Sequence, residues 1–170
     1  MANKIKLNNV RLSFPSLFQK ASFNGEEGTK YEATFLFPKT DTKTYDLVMG
    51  AIEQCKVDNK NTKVGADKLC IKDGDNIEYD GYEGMWAIKG SNAKRITLVG
   101  RDKAPVVEED GIFYSGCYVN AILEPWSQSN KFGKRINANL LGVQFVKDGE
   151  PFGDGPVDVT DDFDEFEDDL

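Results

Sequence analysis

Alternating apolar segments, a single amphipathic helix and a terminal run of linker and acid predict a β-rich α+β protein. The expected architecture is an antiparallel five-stranded barrel of the OB-fold type, with one helix, long loops and a disordered acidic C-terminal tail. A generic α+β sandwich is the alternative. The 170 residues suit one domain with an appendage, divided here as a folded body over 1–150 and a flexible tail over 151–170.

The first strand reads from Ile5 to Phe14, with Val10, Leu12 and Phe14 on one face; Pro15 interrupts it. The segment Tyr31 to Phe37 sets Tyr31, Ala33, Phe35 and Phe37 against Glu32, Thr34 and Leu36, a strong strand pattern whose aromatic face belongs in a core. Pro38 ends it, and Asp41 or Thr42 can cap a helix running to about Lys56. Tyr45, Val48, Met49, Ile52 and Cys55 form its buried stripe. From Asn59 to Glu83 the chain is polar and irregular, with a short strand expected at Ile77–Tyr79. Met85 to Lys89 and Ile96 to Val99 read as strands joined by the turn GSNAKR.

Phe113 to Trp126 carries the longest β signal. Cys117, Val119, Ala121 and Leu123 share one face; Tyr118, Asn120, Ile122 and Trp126 share the other. Ser127 to Lys134 reads as a long hairpin loop. Ile136 to Lys147 returns, with a bulge expected near Gly142, where the apolar parity shifts. Pro151, Gly153, Gly155 and Pro156 have linker composition, and VDVTDDFDEFEDDL lacks the apolar content to fold alone.

The net charge of −8 is split along the chain. Beyond Lys147 there are eleven acidic residues and no basic ones; removing them from the 29 leaves 18 acids against 21 bases, a body near +3. That asymmetry points to a body able to meet an anion and a tail with its own task. No apolar run approaches membrane-spanning length and no signal-peptide stretch opens the chain, so a cytoplasmic location is expected. Cys55, Cys70 and Cys117 are scattered and read as free buried thiols. The absence of histidine removes the commonest general base and any ordinary zinc site; no cofactor and no metal are expected.

Aromatic and basic residues interleave in the second half. Trp86 and Lys89 share a strand, Lys94 and Arg95 follow on the turn, and Arg101 lies beyond. Tyr118 and Trp126 sit on the long strand, and Lys131, Phe132, Lys134 and Arg135 crowd one hairpin. Single-stranded nucleic acid exposes phosphates that cations follow and base faces on which rings stack, and neither contact needs a particular sequence. These eleven residues are the candidate binding set; the competing reading makes the rings core and the cations a solvated face.

In the tail, Phe163 and Phe166 stand among carboxylates, with Asp168, Asp169 and Leu170 at the end. Such a segment can mimic a polyanion, lie over a basic groove and, when DNA displaces it, offer hydrophobic anchors to a replication polymerase, helicase or nuclease. A plain solubility tail is the alternative. Asp73, Asp75, Glu78, Asp80 and Glu83 could hold Mg²⁺ for nucleolytic chemistry, although DGDNIEYDGYEG lacks the periodicity to fix ligands and fits no calcium-loop pattern. A third reading is a DNA-mimic interaction module. No phosphate-binding glycine loop or nucleophile elbow occurs.

The stretch FYSGCYVNAILEPWSQSNKFGKRINANLLGVQFVKDGEPFG, Phe113–Gly153, resembles the C-terminal half of a bacteriophage single-stranded DNA-binding protein family. YEATFLFPKTD (Tyr31–Asp41) and RLSFPSLF (Arg11–Phe18) resemble its first half. The resemblance implies an OB fold, non-enzymatic and sequence-tolerant DNA binding, and protection and organisation of single strands during phage replication or recombination in a bacterial host's cytoplasm. An oligomer is compatible with it.

Overall fold

The computed structural model describes residues 3–21 and 28–152, together with Phe163. The tail and the division that sets it apart fall almost wholly outside the described residues, including Phe166, Asp168, Asp169 and Leu170.

The elements are β1 (Ile5–Ser16), β2 (Tyr31–Pro38), α1 (Thr42–Asp58), β3 (Ile71–Asp73), β4 (Met85–Asn92), β5 (Thr97–Val99), β6 (Tyr118–Asn130) and β7 (Gly133–Lys147). β1 pairs antiparallel with β2 and β6, β2 with β4, and β6 with β7; a parallel contact between β4 and β7 at Ser91 and Asn139 closes the ring. Those five strands are the expected closed barrel of OB type. β3 adds to β4, and β5 adds to β7, outside the ring.

Alternation explains the interior. Ile5 and Leu7 of β1, Ala33, Phe35 and Phe37 of β2, Ile88 of β4, Val119, Ala121 and Leu123 of β6, and Ile136, Ala138 and Leu140 of β7 are all buried. Gly90 allows closure: a Cβ there would lie 2.6 Å from Leu123 Cδ2 and 3.2 Å from Leu140 Cβ. The parity shift in β7 is a bulge, because Ile122 faces Gly142 while Leu123 faces Leu140. α1 starts at Asp41, whose side chain accepts from the Thr44 amide at 3.1 Å and from the Thr44 hydroxyl at 2.6 Å. It packs Val48, Ala51, Ile52 and Cys55 against β1, β6 and β7. All three cysteines are free and buried.

Four local expectations need correction. The short strand expected at Ile77–Tyr79 is absent; the strand lies earlier, at β3, and Gly74–Asn76 forms a 3-10 turn. The long hairpin loop is only Lys131–Phe132, because the ladder runs to the Asn130–Gly133 pair; Gly133 at φ 111° takes the conformation that turns the chain back. The longest strand begins at Tyr118, after Phe113–Cys117 have passed as irregular chain. Phe14 does not share the core face of Val10 and Leu12. Its φ of 47° and the register shift between Ser13 and Ser16 rotate its ring out to 43% exposure.

The irregular 74–84 segment folds over the outside of β2 and β4. It buries Tyr82 with Leu36, Ala87 and Phe152 in a second, smaller apolar cluster, and the Tyr82 hydroxyl meets Ser13 Oγ at 2.7 Å. Lys39 ties the segment down through Asp73 and Asp75, both at 2.6 Å, while Gly84 N donates to Asp75 Oδ1 at 2.7 Å.

Candidate nucleic-acid interface

On the outer faces of β2 and β4, Glu32, Thr34, Ala87, Lys89 and Ser91 point away from the core by strand parity. β3 brings Lys72 beside them, and the β6–β7 hairpin brings Trp126 and Arg135. Together these segments line a groove of about 800 Å³. Its rings are Phe14, Tyr79, Tyr82 and Trp126; its cations are Lys30, Lys68, Lys72, Lys89 and Arg135. Phe14 and Tyr79 meet edge to face with centroids 4.8 Å apart, and Tyr79 meets Tyr82 at 5.4 Å. The row is anchored at Tyr82, which is buried, and opens to solvent at Tyr79, which is 57% exposed.

Charge in the groove is mixed in a specific way. Glu32 is the one carboxylate among the described residues lining it, and Lys89 Nζ holds it at 3.0 Å. Burial pushes the Lys72 ammonium below its ordinary value, with Arg135 and Lys68 adding repulsion and Asp67 opposing it. An arriving phosphate would relieve that repulsion. Burial also pushes the Cys70 thiol up to about 12, so it serves as apolar wall rather than as a nucleophile.

Of the eleven residues expected to bind, the groove gathers Lys89, Trp126 and Arg135. Lys131, Phe132 and Lys134 continue the same hairpin to its tip, where Phe132 is 73% exposed with Lys131 Nζ 5.1 Å from its ring centroid. Trp86 lies on the opposite face of β4 from Lys89 and packs on Tyr45 with centroids 4.8 Å apart. Tyr118 sits between Lys147 at 4.9 Å and Arg11 at 5.8 Å, outside the groove lining. Lys94, Arg95 and Arg101 are exposed on turns and do not line the groove. Phe14, Tyr79, Tyr82, Lys30, Lys68 and Lys72 also line the groove and lie outside the set expected from sequence. The available signal was the repeated tyrosine in DGDNIEYDGYEG, two large rings in a loop too polar to need them.

Asp73 and Asp75 are both engaged by Lys39, which holds each carboxyl below its ordinary range. Among the described residues no three His, Cys, Asp or Glu side chains come together to hold a metal ion.

A closed five-stranded barrel whose outer face carries rings and cations in one groove defines the oligonucleotide-binding class of OB-fold proteins. Residues 3–170 match the family model described as Enterobacter phage Enc34, ssDNA-binding protein, and the chain belongs to that family. The single-stranded DNA-binding protein from bacteriophage Enc34 superposes with a TM-score of 0.78 at 39% identity, covering 95% of this chain and 90% of its own. The same protein in complex with ssDNA superposes with a TM-score of 0.80 at 38% identity, covering 89% and 90%. Putative protein p50 of Acyrthosiphon pisum secondary endosymbiont phage 1 is 40% identical over 173 residues, covering 96% of this chain and 94% of its own. The motifs read from Arg11–Phe18, Tyr31–Asp41 and Phe113–Gly153 therefore pointed to the right family.

Proposed function

We infer that this protein binds single-stranded DNA without strong sequence preference and protects and organises it during phage replication or recombination, in the cytoplasm of the bacterial host. The carrying observation is the groove itself: four rings and five cations converge on one side of the barrel. Rings stack on any base and cations follow any phosphate, so the chemistry favours coating over sequence readout. Membership of a family whose described member is an ssDNA-binding protein supports the same reading. The site consists of Phe14, Tyr79, Trp126, Lys68, Lys72, Lys89 and Arg135, extended by Lys131, Phe132 and Lys134 at the hairpin tip. The acidic tail opposes DNA electrostatically and recruits replication proteins.

Titration of poly(dT), duplex DNA and RNA at two salt concentrations tests this, with intrinsic fluorescence as the readout. Tight dT binding is expected, with a slope of log affinity against log salt of about −0.7 per engaged cation, or roughly −4 for the six named. Equal affinity for duplex DNA, or no salt dependence, would overturn it.

A further inference from the structure

A second cleft, of about 360 Å³, shares no lining residue with the groove, although β1, β6 and β7 contribute different residues to both. Its floor is aliphatic: Val99 of β5, Ile122 of β6, and Leu141 and Val143 of β7. Its rim is Lys4, Lys6 and Lys103. None of the three lysines makes an ion pair among the described residues, and no carboxylate lines the cleft. Ile122 alone is 38% exposed, on a β6 face that elsewhere carries Tyr118, Asn120 and Glu124.

The chemistry of this cleft differs from that of the groove. It offers no ring face for a base, so it is a poor seat for nucleic acid. Unpaired lysines around an aliphatic floor suit an acidic peptide carrying large apolar side chains, the anion meeting the rim and the hydrophobe covering the floor. The chain supplies one such segment: VDVTDDFDEFEDDL places Phe163 and Phe166 among eight carboxylates, and Phe163 is 75% exposed. Reach is sufficient. Phe152 packs against the Arg11 guanidinium at 4.2 Å. Arg11 and Lys6 are five residues apart on β1, or roughly 17 Å. The eleven residues from Phe152 to Phe163 can extend to about 36 Å.

We propose that the lysine-rimmed cleft formed by Lys4, Lys6, Lys103, Val99, Ile122 and Leu141 is the seat of the chain's own acidic tail, with Phe163 or Phe166 on its aliphatic floor. The proposal adds a location to the tail's electrostatic role. The phenylalanines rest away from the DNA groove, and a partner protein that binds them competes with this cleft rather than with DNA.

Lysine acetylation by an N-hydroxysuccinimide ester, read peptide by peptide by mass spectrometry, tests it on the full-length protein. Wild type is compared with Phe163→Ala/Phe166→Ala and with Ile122→Glu, and poly(dT) binding is titrated on the same samples. Lys4, Lys6 and Lys103 are expected to react roughly threefold more slowly in wild type than in either variant, the protection given when the tethered tail's effective concentration is about twice its dissociation constant. Lys68 and Lys72 should react alike in all three. Equal rates at Lys4, Lys6 and Lys103 would overturn the proposal. So would protection that moves to Lys68 and Lys72, which would put the tail in the groove, or protection that rises with protein concentration, which would make the occupant a second copy's tail. Loss of dT binding in wild type would instead sink the functional reading and leave the cleft result interpretable.

Discussion

Phe14 is the residue at which local cost and the proposed site meet. A phenylalanine at φ 47° gives up roughly 1–2 kcal/mol relative to the right-handed or extended regions. In return its ring stands beside Tyr79 in the groove. Phe14→Gly removes the backbone strain but loses the edge-to-face contact and adds chain entropy, so stability should stay within about 1 kcal/mol of wild type by urea denaturation. Binding to dT oligomers should weaken by ~1–3 kcal/mol, the value of one stacked base. Unchanged affinity would show that the ring is not a platform. The same position explains why the site was only partly legible. Alternation places Phe14 on the core face, and nothing in RLSFPSLF announces a left-handed residue. Trp126, Lys89 and Arg135 were legible because their strands alternate regularly, so parity alone sends them outward. Parity also sets Trp86, three residues from Lys89, on the opposite face of β4, so the two do not share one surface.

At the scale of elements, regular strands were read well and chain bound by side-chain contacts was not. β1, β2, α1, β6 and β7 follow from periodicity and capping, whereas the 74–84 segment is held by the Lys39–Asp73–Asp75 strap and by Tyr82, which periodicity does not encode. The hydrogen bonds from Lys39 lower both aspartate pKa values and raise that of Lys39. The strap's contribution is therefore complete between the ordinary aspartate value of 3.8 and the ordinary lysine value of 10.5. It is lost as pH falls through the lowered aspartate values or rises through the raised lysine value. The Gly84 amide, which donates to Asp75, should report this by NMR with an apparent midpoint below 3.8; a midpoint at or above it would mean the strap adds nothing. The β6–β7 hairpin gives a second test. Replacing Lys131, Lys134 and Arg135 with alanine should flatten the salt dependence of ssDNA binding by about 2 log units per decade, at ~0.7 per lost phosphate contact. A change near 0.7 would confine contact to Arg135 and leave the tip out of the path of the DNA.

Across the whole molecule, the governing feature is that the sign of the charge changes along the chain. The net charge is −8, yet residues 154–170 hold nine of the acids and no base, so removing them brings the remainder to about +1. A polyanion approaching the groove therefore meets five lining cations in the field of a tethered polyacid. The field's range depends on ionic strength, with a screening length of about 30 Å at 0.01 M salt and about 10 Å at 0.1 M. Deleting residues 154–170 should therefore tighten dT binding at low salt, and the gain should shrink as salt rises and screens the tail from the groove. The truncated protein should consequently show a steeper negative slope of log affinity against log salt than the full chain, because the full chain loses an opposing charge as salt increases. Parallel slopes with a constant offset would point instead to a contribution of the tail that salt does not screen. Identical curves would show that the tail's charge does not reach the groove at all.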